Sequence, residues 1–180
     1  MSNHLKEISL ALVAAAIIAC DNQVTPPSAA TATTGLKPVA AQTQGSVLGS
    51  IRAATAKYHR VEVAVDDGYI RVSTCILNEG IHYLKPSLVN GVLDPTQPEH
   101  LLYEELPNGK LRLAGVEYVV PSAAWDPNNA SAPMLGDQPL MDRRSFPYGA
   151  PFPNYALFVW VWTSNPDGLY TQLNPKVSCN

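Results

Sequence analysis

His82 is the residue of this chain best suited to chemistry, because a neutral imidazole can bind a metal or carry a proton near neutral pH. It stands in Gly80-Ile81-His82-Tyr83, a few residues before Pro86. The plainer reading is that it hydrogen-bonds a loop carbonyl and organises the turn. Glu117 is its natural carboxylate partner, since a buried carboxylate needs one. The favoured expectation nevertheless turns Glu117 to solvent through a bulge at Gly115. His59 and Glu62 have chelate spacing on one helix, yet Lys57 and Arg60 beside them mark a solvated face. His100, Glu104 and Glu105 are expected at the surface. Trp160 and Trp162 share a face with Phe158 and offer walls for an apolar pocket, although such a row on a central strand is more often core. Trp125 sits in a loop, where it suits a pocket cover or a partner contact. The chain has no Gly-x-Ser-x-Gly elbow and no Gly-rich phosphate cradle. No cofactor is expected, and no catalytic residue is assigned.

The cysteines carry the other chemistry. Leu12-Val13-Ala14-Ala15-Ala16-Ile17-Ile18-Ala19-Cys20 has the shape of a bacterial lipoprotein signal peptide ending at a lipidated cysteine. The apolar run is shorter than the roughly 20 residues that a spanning helix needs. Several acyl chains on Cys20, at about 0.8 kcal/mol per buried methylene, suffice for stable anchoring. That leaves Cys75 and Cys179, a pair that bonds in an oxidising compartment and is predicted to do so here. Neither C-x-x-C nor a Cys/His zinc spacing occurs.

These residues need a scaffold. Residues 1–19 read as signal peptide, 20–47 as a flexible tether rich in Thr, Ala, Gln, Pro and Ser, and 48–180 as one domain. Ile51, Ala54, Tyr58, Val61 and Val65 recur at helical spacing, predicting a helix from Leu48 to Asp67 that stops at Gly68. Tyr69–Leu77 reads as strand and Asn78–Glu99 as loop. Pro107-Asn108-Gly109 joins a hairpin of His100–Leu106 and Lys110–Val120, with a bulge at Gly115 to keep its apolar residues in phase. Pro121–Pro153 reads as irregular. Tyr155–Thr163 is apolar on both faces, so it is expected to be a central, doubly covered strand. The fold class is therefore α+β: a mostly antiparallel sheet packed by one or two helices, loop-rich, with one disulfide. Sixteen prolines and eleven glycines agree with the loops. Only 15% of residues are charged and the net charge is −3, without a basic run, which argues against nucleic acid as a partner.

Several strings are familiar together: Gly80-Ile81-His82-Tyr83-Leu84-Lys85-Pro86, Leu111-Arg112-Leu113-Ala114-Gly115-Val116-Glu117-Tyr118, Val159-Trp160-Val161-Trp162 with Asn165-Pro166, and Asn174-Pro175-Lys176-Val177-Ser178-Cys179. In that order they resemble an uncharacterised family of exported bacterial proteins, often lipoproteins, with no established activity. The resemblance implies histidines where this chain has Asn154 and Phe158, and thus a polar or metal site with His82 and Glu117. Here Asn154 stands as a candidate member and Phe158 departs from the pattern.

The sequence thus reads as a lipoprotein anchored by Cys20 in the bacterial cell envelope, facing the periplasm or the exterior. Its domain is expected to bind a small ligand or an envelope protein without catalysis. The alternatives are a metal-dependent or acid/base enzyme using His82 and Glu117, and a structural envelope protein.

Overall fold

Counting outward from Asn108-Gly109 gives the frame of the domain. In the computed structural model, which describes residues 43–180, strands β3 (His100–Glu105) and β4 (Leu111–Pro121) form the expected hairpin. Glu105 faces Leu111, Tyr103 faces Leu113 and Leu102 faces Gly115, so Ala114 is the extra residue of a bulge. The bulge places Leu113 on the same face as Val116, Tyr118 and Val120, which is why that face is continuously apolar. Beyond the bulge, His100 stands directly opposite Glu117.

Four further strands complete one antiparallel sheet: β1 (Ile70–Arg71), β2 (Ile81–Leu84), β7 (Met141–Asp142) and β8 (Asn154–Val159), in the order β1-β2-β3-β4-β8-β7. A separate two-strand ribbon joins β5 (Met134–Leu135) to β6 (Gln138–Pro139). The sheet, its few helices and the Cys75–Cys179 disulfide, with Cα atoms 5.7 Å apart, make this an α+β domain. Every residue of β8 is buried, between β4 and β7 and covered on both faces.

One face of the sheet carries the main core, with Ile81, Leu101, Tyr103, Val116, Tyr118 and Leu157 all essentially inaccessible. Helix α1 (Gln44–Thr55) packs on it through Val47, Ile51 and Thr55. The continuous helix predicted from Leu48 to Asp67 is in fact two helices. A 3-10 turn follows at Ala56–His59, the backbone extends at Arg60, and α2 (Val61–Asp66) begins anew. Tyr103 explains part of the break, because its hydroxyl donates to the Tyr58 carbonyl at 2.7 Å. The restart shifts the helical phase, so Ala64 is buried and Val65 is half exposed. α2 stops where expected, with the N–H groups of Gly68 and Tyr69 closing onto the carbonyls of Val65 and Ala64.

The opposite face carries a smaller cluster of Leu102, Ala114, Phe158, Trp160 and Val177, together with the candidate site. The tail after β8 covers one part of it. Trp162 and Thr163 donate their N–H groups to the Ala114 carbonyl, Asn78 N–H donates to Val177, and Asn174 N–H donates to Asn78. Gly115 lies beneath this tail. A Cβ there would sit 2.8 Å from the Val159 carbonyl oxygen and 2.9 Å from the Trp160 ring.

Four further expectations are corrected. Tyr69–Leu77 forms strand only at Ile70–Arg71, on the sheet edge. The segment read as loop, Asn78–Glu99, contains β2, whose Ile-His-Tyr-Leu lacks polar alternation because both of its faces are covered. Pro121–Pro153 is not wholly irregular: it holds α3 (Ser122–Trp125), the β5–β6 ribbon and the edge strand β7. The last residues assigned to the tether, Gln44–Val47, are the first turn of α1. The signal peptide, Cys20 and most of the tether lie outside the described residues. No helix among the described residues is long and apolar enough to cross a membrane.

Candidate functional site

Period-two alternation brings the site together. His82 on β2, His100 on β3, Glu117 on β4 and Phe158 on β8 all project from the face opposite the main core, each beside a core residue. Glu117 is central and only 4% exposed. Its Oε2 lies 3.3 Å from His82 Nδ1 and 3.3 Å from His100 Nδ1, and its Oε1 lies 3.4 Å from Arg143 Nη1. The expectation of a solvated Glu117 is therefore overturned. The bulge resets the strand as anticipated, but the face it turns Glu117 toward is covered by residues 143–152 and by the tail.

The polar groups close a ring. Arg143 donates from Nη1 to Glu117 and from Nη2 to Gln172 Oε1 at 3.0 Å. Gln172 donates to Glu79 Oε1 at 2.8 Å. Glu79 Oε2 stands 3.4 Å from His82 Nε2, and His82 returns to Glu117. Five residues from four separate chain segments thus hold one another on the cavity floor. The guanidinium also lies 5.5 Å from the ring centres of both Phe158 and Tyr148. Tyr148 holds φ +41, a left-handed conformation that costs a non-glycine residue about 1–2 kcal/mol.

The comparisons found no matching family model, no matching curated protein and no matching solved structure. The chemistry of the site rests on its own residues.

Electrostatics order the ring. Burial works against a charge on His82, yet the nearby carboxylates of Glu117 and Glu79 push it up to about 9. Burial alone would raise Glu117; His100, His82 and Arg143 around it hold it below the ordinary carboxylate range. Burial pushes His100 down from the ordinary imidazole value, against the field of Glu117. Among the described residues, three buried side-chain atoms complete no hydrogen bond: His82 Nε2, which only faces the Glu79 carboxylate at 3.4 Å, His100 Nδ1 and Asn154 Oδ1. Such atoms are costly to leave bare, at about 1–3 kcal/mol each, so they mark where a ligand has most to gain.

Above the floor opens a cavity of about 610 Å³. That volume lies within the range of small-molecule sites, about 300–1,000 Å³. Its walls are largely apolar, from Val72, Ile76, Leu84, Val89, Val119 and Phe158. The segment Phe146–Phe152 crosses its mouth, with the rings of Phe146 and Tyr148 largely exposed.

His82, Glu117 and Asn154 all line this cavity. Asn154 donates to the carbonyls of Phe152 and Pro147 and so holds the mouth segment, leaving its own Oδ1 free. The three tryptophans do not line it. Trp160 is buried beside Phe158 and donates to the Thr171 carbonyl. Trp162 donates to Thr55 Oγ1 against α1, and Trp125 donates to the Ser131 carbonyl. The pocket aromatics are instead Phe146, Tyr148, Phe152 and Phe158. Two surface assignments are also corrected. His100 belongs to the floor, because the register of β3 and β4 sets it opposite the buried Glu117. Glu104 is buried, paired with Arg112 and accepting from Ser178 Oγ at 3.1 Å. His59 is exposed as expected, its ring edge-on to Trp162. Arg143, Glu79 and Gln172 were not singled out in the sequence. They lie in stretches without periodicity, and nothing local marks them.

Proposed function

We propose that the protein is a membrane-tethered lipoprotein of the bacterial envelope whose domain binds a small, largely apolar molecule. One observation carries this reading: a cavity of about 610 Å³ with apolar walls is lined by His100 and Asn154, each of which leaves a buried polar atom unpartnered. An apolar body would fill the walls, and a polar end would complete those hydrogen bonds. The Cys20 motif supplies the tether, and the Cys75–Cys179 disulfide is what an oxidising compartment permits.

Native mass spectrometry of the protein isolated from its own host tests the binding. A co-purified small molecule of constant mass is expected, reduced in Ala150→Trp, which places an indole at the cavity wall. A protein recovered consistently without one would favour a structural role instead. Labelled palmitate tests the address: an intact, unlabelled chain recovered from the cytosol would refute the envelope assignment.

A further inference from the structure

The floor of the cavity has more ligating power than a binding pocket for an apolar body requires. We propose that His82, His100 and Glu117 form a site for a divalent transition-metal ion, Zn²⁺ by its donor set, with one coordination position open to the cavity. With the ion in place, the polar end of a bound molecule would meet the ion rather than His100 itself.

Two imidazoles and one carboxylate are the three-ligand set of open zinc sites, and the absence of thiolate or a carbonyl cage among the three disfavours copper(I) and calcium. The spacing fits as well. Ligand atoms about 2.0–2.2 Å from zinc at tetrahedral angles lie about 3.4 Å from one another. Glu117 Oε2 stands 3.3 Å from Nδ1 of both histidines. One donor atom from each residue lies within 4.8 Å of the other two.

His100 supplies an independent observation. Its Nδ1 is buried at 3.3 Å from a carboxylate oxygen and still completes no hydrogen bond. A hydrogen bond between the two would have been the cheaper arrangement for a purely structural pair. An ion between them satisfies both at once.

The surroundings also behave as supports for ligands. Glu79 stands behind His82 at Nε2, the nitrogen remote from Glu117, and Gln172 fixes Glu79 in turn. A carboxylate behind a ligating imidazole orients the ring and strengthens the nitrogen toward the metal. Arg143 carries a charge that opposes a metal here, and a protonated His82 must release its proton before it can ligate. The guanidinium approaches Oε1 of Glu117 and leaves Oε2 to the histidines. Among the described residues, no fourth His, Cys, Asp or Glu joins the three. A water or the polar end of a bound molecule therefore takes the remaining position.

The test uses the full chain, stripped with a chelator and loaded with Zn²⁺ alone. Equilibrium dialysis with elemental analysis is expected to show one ion per chain. X-ray absorption of that sample is expected to show imidazole nitrogen and oxygen around the metal. Glu79→Gln should weaken binding about 10–100-fold, and His100→Ala and Glu117→Gln by more than that. His59→Ala, a surface histidine outside the cavity, should leave it unchanged. Substoichiometric zinc, a spectrum without imidazole, or equal affinity in the wild type and His100→Ala would each overturn the proposal. Because the absorption measurement needs only the wild type, a variant that fails to fold leaves the question decided by that spectrum.

Discussion

Replacing three glycines by alanine should separate two physical costs that the fold combines at the edge of its site. Gly109 has φ +73 and open space where a Cβ would stand. Gly115 has an ordinary backbone, but its Cβ would press on the Val159 carbonyl and the Trp160 ring. Gly80 has both problems: φ +86, and a Cβ that would overlap the Tyr103 carbonyl and stand 3.3 Å from Val177 Cγ1. The left-handed conformation alone costs about 1–2 kcal/mol, so Gly109→Ala should lose about that, less a few tenths returned by a stiffer unfolded chain. Overpacking alone costs about 1–3 kcal/mol, which sets Gly115→Ala. Gly80→Ala carries both, about 2–5 kcal/mol, because neither the Tyr103 carbonyl nor Gly80 itself can yield. The Tyr103 peptide is locked in the ladder opposite Ile81, and Gly80 N–H is bonded to the Ile76 carbonyl at 2.7 Å. For a chain of this size each kcal/mol lowers the melting temperature by about 2–4 °C. Thermal or urea unfolding of the three variants should rank them Gly109→Ala least and Gly80→Ala most. If Gly109→Ala matched Gly80→Ala, or if Gly115→Ala were harmless, the close approach of backbones described here would be wrong. Gly80 lies between Glu79 and His82, so Gly80→Ala should also disturb the cavity floor, whereas Gly109→Ala should not.

Breaking the Cys75–Cys179 bond releases a loop of 104 residues in sequence separation. Chain entropy puts the loss at up to about 4.7 kcal/mol, and paired urea curves with and without reductant measure it; coincident curves would show that the bond constrains nothing. Glu99 offers a pH dependence. It is buried, accepts from Val119 N–H at 3.0 Å, and burial pushes it from 4.5 up to about 8. A raised carboxylate favours the folded state fully below 4.5 and loses that advantage as pH climbs to about 8, by at most about 1.4 kcal/mol per unit. Glu99→Gln keeps the acceptor for Val119 and should flatten metal-free stability between about pH 5 and about pH 8 relative to the wild type; an unchanged slope would assign the dependence elsewhere.

The elements that announced themselves did so through local chemistry. Asn108-Gly109 fixed a hairpin, and the unbroken apolar run after Tyr155 marked a strand covered on both sides. The helix boundaries were misplaced because a tertiary hydrogen bond from Tyr103 to Tyr58 diverts a carbonyl, which no helical periodicity reports. The site was half legible. His82 and Glu117 stood out by type, but His100 looked like the flank of a strand. Counting back from the turn with one bulge residue would have placed it opposite Glu117. What hid the burial of the floor was its roof: Arg143–Phe152 and the tail have no repeat, so nothing in their spacing shows that they cover a sheet face. The polar residues beneath them therefore read as solvent-facing.

The ring on the cavity floor spans the chain from Glu79 to Gln172, so its last member follows every strand of the sheet. A nascent or prematurely ended polypeptide can pair β2, β3, β4 and β8 and still lack the residue that couples Arg143 to Glu79. Assembly of the floor thereby waits on the segment after β8 and on the Cys75–Cys179 bond that ties the chain beyond it back to the domain. A sheet can therefore be complete while the polar ring beneath the cavity is still open.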